Sequence, residues 1–128
     1  MRLKNILIVV KDIEKSKAFY KDLFGLQVIA DFGENVILSE GLVLQERKIW
    51  EKAIGESIIV NGKDMELYFE DYDLDEFVKK IENSDFEISY LNPLTEQLQG
   101  QRMLRIYDPD KHIIEIREMA VGEETRYE

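Results

Sequence analysis

The 128-residue chain suits one domain, or two half-domains that share a core. Its 17 Lys and Arg against 27 Asp and Glu give a net charge of -10, which argues against a nucleic-acid binder, because phosphate recognition needs basic patches. The same balance leaves room for a cationic ligand, and the absence of cysteine excludes disulfide, thiolate and zinc–sulfur chemistry.

In chain order, Leu3 to Val10 is apolar and β-branched and reads as a strand buried on both faces. Asp12 then caps a helix that runs to Phe24. Ile13, Phe19, Tyr20, Leu23 and Phe24 form its apolar stripe, and Gly25 closes it. Three short strands follow, about Leu26–Asp31, Asn35–Ser39 and Leu42–Glu46. Gly33-Glu34-Asn35 and Glu40-Gly41 are the turns between them. Residues Arg47 to Lys63 are less regular. Ile49 to Ile54 reads as one helical turn, Ser57–Val60 as a short extended piece and Val60-Asn61-Gly62-Lys63 as a turn. Trp50 within this linker reads as a packing residue rather than a ligand platform.

A strand resumes at Met65–Glu70. Asp73 caps a second helix, with Glu76 completing a capping-box-like pair. Leu74, Phe77, Val78 and Ile81 recur at helical spacing. Phe86–Tyr90 reads as a strand, and Leu91–Gln101, rich in Pro, Thr, Gln and Gly, as a loop. The chain then forms a hairpin, Arg102 to Glu118, about the turn Asp108-Pro109-Asp110-Lys111. Pro109 presets φ for a type I turn, and Asp108 and Asp110 are turn formers. His112 reads as a turn or surface residue. A Ser-His-Asp triad would have to use it, and no Ser stands in a nucleophile-elbow setting. The tail after Glu118 is polar and acidic, and fraying is expected there.

The order strand, helix, three strands occurs twice. The expected fold class is α+β, with two βαβββ modules forming a curved mixed sheet around a cavity. Module one is 1–48, the linker 49–63, module two 64–118 and the polar tail 119–128. Asp12 matches Asp73, Asn5 matches Glu66, and a loop correction sets Leu44 against Glu115. Strand alternation points Ile6, Ile8 and Val10 at the first helix, and Asn5, Leu7 and Val9 at the cavity. Leu67 and Phe69 face the second helix, while Glu66, Tyr68 and Glu70 face the cavity. Symmetric pairing about the last turn puts Arg105 opposite Glu115, with Met103 and Tyr107 on the same face. A slip of one residue would reverse these assignments.

VVKDIEKSKAFYKDLFGL in the first module and YDPDKHIIEIRE in the second, supported by ELYFEDYDLDEFVKKI, resemble the vicinal oxygen chelate superfamily. That superfamily includes glyoxalase I, bleomycin- and fosfomycin-resistance proteins and extradiol dioxygenases. The resemblance covers residues 1–118. It implies metal-ligand positions at Asn5, Leu44, Glu66 and Glu115, of which Glu115 alone matches the family ligand outright. Leu44 cannot coordinate a metal, and the imidazoles preferred by zinc, nickel or iron(II) are missing.

No metal or other cofactor is therefore expected. The resemblance implies a metal-independent small-molecule-binding protein, similar to the bleomycin-resistance proteins, that sequesters a ligand in a partly acidic cavity. The alternative is a lyase, isomerase or dioxygenase with a reduced metal site, or with Glu115 as a general base. Arg105 and Glu115 read either as a structural ion pair or, with Glu66, as the polar handles of a ligand cavity whose apolar walls are Tyr68, Tyr107, Met103 and Leu44. Asn5 completes the candidate ligand-binding set. The expected partners are a small-molecule ligand, for which an acidic cleft would suit a cation, and a second copy in a homodimer, with no nucleic acid and no membrane. The N-terminal run is too short for a signal peptide, and no stretch reaches the ~20 apolar residues of a membrane span, so a cytoplasmic protein is expected.

Overall fold

The structure, a computed structural model, describes residues 1–96 and 101–119. Its elements in chain order are β1 (Ile6–Val10), α1 (Ile13–Phe24), β2 (Val28–Asp31), β3 (Asn35–Leu38), a short 3₁₀ turn (Ser39–Gly41) and β4 (Leu42–Glu46). Then come α2 (Arg47–Ile54), β5 (Glu66–Asp71), α3 (Leu74–Glu82), β6 (Tyr90–Glu96), β7 (Arg102–Tyr107) and β8 (Ile113–Glu118). The fold class is α+β, and the two βαβββ modules are present. One four-stranded sheet runs β1-β4-β3-β2 and the other β5-β8-β7-β6. In each, the first and last strands of the module pair in parallel and the remaining pairs are antiparallel. The chain divides into two compact units between Asn61 and Gly62.

The helices begin and end where local chemistry dictates. Asp12 accepts the Lys15 N–H at 3.1 Å, and Asp73 accepts the Glu76 N–H at 3.1 Å, each satisfying a donor that the first helical turn leaves open. Gly25 ends α1 in the left-handed region, at φ 70°, where a side chain would be strained. α1 buries Ser16, Phe19, Tyr20 and Leu23. α3 buries Leu74, Phe77 and Ile81 and packs against β8. Arg102 of β7 ties its first turn down, with both terminal nitrogens on Asp75 at 3.1 Å and one on Glu118 at 2.7 Å. On the helix side of the second sheet, Leu104, Ile106, Ile114 and Ile116 are fully buried.

Four expectations change. β1 starts at Ile6 rather than Leu3 and is not buried on both faces: Leu3, Ile6 and Leu7 are exposed. The sheet order explains this, because among the described residues β1 lies at an edge and pairs with β4 alone. Arg47–Ile54 is a two-turn helix rather than one turn in a linker; Glu46 caps it by accepting the Ile49 N–H at 3.0 Å. Phe86–Ser89 is not strand, and the loop expected from Leu91 is strand as far as Glu96. Pro93 is tolerated because β6 is an edge strand with register shifts on both sides of Asn92. Residues 97–100 of that loop, and the tail from 120, lie outside the described residues.

The fourth change is His112, which is buried rather than at the surface. Its Nδ1 lies 2.7 Å from Asp108 Oδ2, and Asp108 Oδ1 accepts the N–H groups of Asp110 and His112 at 2.8 and 2.9 Å. Lys111 takes the left-handed conformation, at φ 69°, so the loop is a type I turn followed by an αL residue. A buried carboxylate thus holds both the turn and the ring that follows it. Gly62 sits directly on that ring. A Cβ there would lie 2.3 Å from His112 Cδ2 and 3.2 Å from its Cα. The ring is held by Asp108 and cannot swing away cheaply. Gly62→Ala is therefore expected to lose about 1–3 kcal/mol in urea unfolding; unchanged stability would show that Gly62 is not a packing requirement.

Candidate functional site

The side of the second sheet turned away from α3 carries the candidate site. Alternation and register bring Glu66, Tyr68 and Glu70 of β5, Ile113, Glu115 and Arg117 of β8, and Met103, Arg105 and Tyr107 of β7 onto that face. Arg105 stands directly opposite Glu115, and Tyr68 stands beside Glu115 on the other side.

Arg105 is the hub. Its Nε donates to Glu66 Oε1 at 3.0 Å, its Nη1 donates to Asn92 Oδ1 at 3.0 Å, and its Nη2 lies 2.6 Å from Glu115 Oε1. Three acceptor oxygens from β5, β6 and β8 thus surround one guanidinium from β7. The second oxygen of Glu115 accepts from Arg117 Nε at 3.2 Å. The Glu115 side chain is 4% exposed, while those of Arg105 and Glu66 are each about one-third exposed, at 33% and 34%. The hydrogen bond to Glu66, and then the nearby charges of Glu115 and Glu66, raise the Arg105 pKa above its ordinary value against the opposing effect of burial. Lys63 lies 5.8 Å from the centre of the Tyr107 ring.

Six of the eight sequence-derived candidates, Glu66, Tyr68, Met103, Arg105, Tyr107 and Glu115, therefore share one sheet face. The other two do not. Asn5 precedes β1 in the first unit and is exposed. Leu44 is fully buried and pairs with Ile8 and Val36, on the helix side of the first sheet, so it is no cavity wall there. The register shows the reason. Leu7 pairs with Val43 as Tyr68 pairs with Glu115, so Val43 is the counterpart of Glu115, and a one-residue offset had exchanged the faces. The counterpart of the Arg105–Glu115 pair is Ile37–Val43, an apolar pair at the same place in the same topology. Asn92 lies in the stretch expected to be loop, which hides it from a sequence reading, and Arg117 is found only from its contact with Glu115 two residues away on the same strand.

The family model of the glyoxalase-like domain matches residues 3–120. The chain belongs to that family. Among solved structures, a protein of unknown function from Agrobacterium tumefaciens is 36% identical, with a TM-score of 0.80 and coverage of 94% of this chain and 95% of that one. The fosfomycin resistance protein FosX from Listeria monocytogenes is 20% identical, with a TM-score of 0.73 over 96% of this chain and 97% of its own. A lactoylglutathione lyase from Agrobacterium tumefaciens is also 20% identical, with a TM-score of 0.70 over 92% and 93%. At that identity these two show the shared glyoxalase-like fold. The search of curated proteins found no match.

The metal that the superfamily resemblance implies does not fit the residues of this glyoxalase-like chain. Val43, the register counterpart of Glu115, has no donor atom. Glu66 and Glu115 both give an oxygen to Arg105, whose positive charge would repel an ion placed between them. Among the described residues, no group of three or more His, Asp or Glu side chains is arranged to hold an ion.

Proposed function

We propose that this glyoxalase-like protein binds a small organic molecule on the face of its second sheet turned away from α3, without the help of a metal. The observation that carries this reading is the three-sided coordination of Arg105 by Glu66, Asn92 and Glu115 amid Tyr68, Tyr107 and Met103. A few fixed polar groups among apolar and aromatic walls is the composition of a small-molecule site. The network costs stability to build, because Glu115 is desolvated, and its apolar counterpart in the first sheet does without it. Such an expensive departure from a repeat is the mark of a site rather than of scaffolding.

The ligand class we favour is an aromatic or alkylated cation. Support comes from the protein-wide charge of -10 and from the exposed Tyr68 ring, since aromatic faces attract cations, as the Tyr107 ring does with Lys63. Free carboxylates do not supply it, since the guanidiniums of Arg105 and Arg117 offset Glu66 and Glu115. Sequestration without chemistry, in a homodimer located in the cytoplasm, completes the proposal. Among the described residues no helix is long and apolar enough to cross a membrane.

A panel of aromatic quaternary ammonium compounds, titrated into labelled protein and followed by NMR, is expected to move the signals of Tyr68, Tyr107 and Met103. Glu115→Gln should keep the fold and weaken the best binder about tenfold, or ~1.4 kcal/mol. Shifts confined to other surfaces, or unchanged affinity in the variant, would sink the reading. Sedimentation at micromolar concentration is expected to give a dimer, and a monomer would remove that part.

A further inference from the structure

The cations beside the second sheet's face are not alike. Arg105 is held by Glu66 and Glu115, and Arg117 by Glu115. Lys63 has no ion-pair partner among the described residues. It is exposed, and its ammonium lies 5.8 Å from the centre of the Tyr107 ring. Packing fixes where this lysine starts. Gly62 sits against the His112 ring, which Asp108 holds at 2.7 Å. Tyr107 immediately precedes Asp108, so the turn that seats Gly62 also carries the ring that receives Lys63. Tyr107 stands level with Ile113 and Glu66, at the end of the face where β5 begins. Tyr68, whose ring is exposed, lies two residues further along β5.

We propose that Lys63 is a specificity residue that selects, among cationic guests, those that also carry a carboxylate. The favoured guest is a zwitterion with its charges at opposite ends. Its ammonium group lies on Tyr68 and its carboxylate pairs with Lys63. A plain cation meets Lys63 as a like charge, and a plain anion meets the protein-wide charge of -10. Arg105 cannot take over the second contact, because its Nε, Nη1 and Nη2 are already given to Glu66, Asn92 and Glu115. The Lys63 ammonium keeps its three donors for the guest, and the Tyr107 ring holds it at the rim in advance. The proposal rests on the ligand reading above and adds the second charge to it.

The test uses the full-length protein and two probes: benzyltrimethylammonium, and the same cation with a carboxylate on the far side of its ring. Calorimetric titration gives both affinities for the parent, Lys63→Gln and Lys63→Arg. The parent is expected to bind the carboxylated probe about fivefold more tightly than the plain cation, the upper end of what a solvent-exposed ion pair supplies. Lys63→Gln should bring the two affinities together, weakening the carboxylated probe and tightening the plain one. Lys63→Arg should keep the preference, and added salt should shrink it. A parent that binds the plain cation without preferring the carboxylated one would overturn this proposal and leave the ligand reading standing. So would a preference that survives Lys63→Gln. Binding of neither probe would remove both.

Discussion

A carboxylate on a central strand is the constraint around which the second unit is built. Glu115 lies in β8, between β5 and β7, and is almost wholly removed from water. An ionised group in that position costs about several kcal/mol unless it is paired and hydrogen-bonded. Arg105 from the neighbouring strand and Arg117 from its own strand take one oxygen each. Arg105 then recruits Glu66 on β5 and Asn92 on β6. Every strand of the sheet is thereby tied into one polar network on one face, while the opposite face is a plain apolar core under α3. The network supports the register of β8 against β7, since a slip there would leave the buried Glu115 carboxylate without Arg105.

The internal repeat sharpens this reading. Two sheets of the same topology present the same position across the strands corresponding to β3–β4 and β7–β8. One fills it with Ile37 and Val43, the other with Arg105 and Glu115. The first sheet uses a neutral hydrogen bond nearby, from Asn35 Nδ2 to Gln45 Oε1 at 2.8 Å, where Met103 and Arg117 pair in the second. The fold therefore does not require an ion pair at this point. The second module differs from the first by carrying a charged pair there, and that difference is what the proposed binding role rests on.

Much of this was legible in the sequence. Asp12, Gly25 and Asp73 announce helix ends by their own backbone chemistry, and the Asp108-Pro109 turn sets the pairing of Arg105 with Glu115 by symmetry alone. Information was lost where the deciding factor was not local. Pro93 looks like a loop residue until the strand is known to be at an edge. Leu44 could be aligned with Glu115 only by guessing how much longer the loop connections of the second module are, and the register places the match one residue earlier, at Val43. His112 is polar and follows a turn, yet Asp108 and the bare backbone of Gly62 let it sit inside. Asn92 carried no signal of its own, because its role depends on a strand pairing interrupted by bulges.

The coupling between Arg105 and Glu115 tests this account most directly. A double-mutant cycle with Arg105→Met, Glu115→Gln and the combined variant, read by urea unfolding, isolates that term from the rest of the network. The account predicts a favourable coupling of about 1–3 kcal/mol, with each single variant less stable than the parent. Additive single and double variants, with no coupling, would mean that Glu115 is held by something other than Arg105 and that the face turned away from α3 is not organised around this pair.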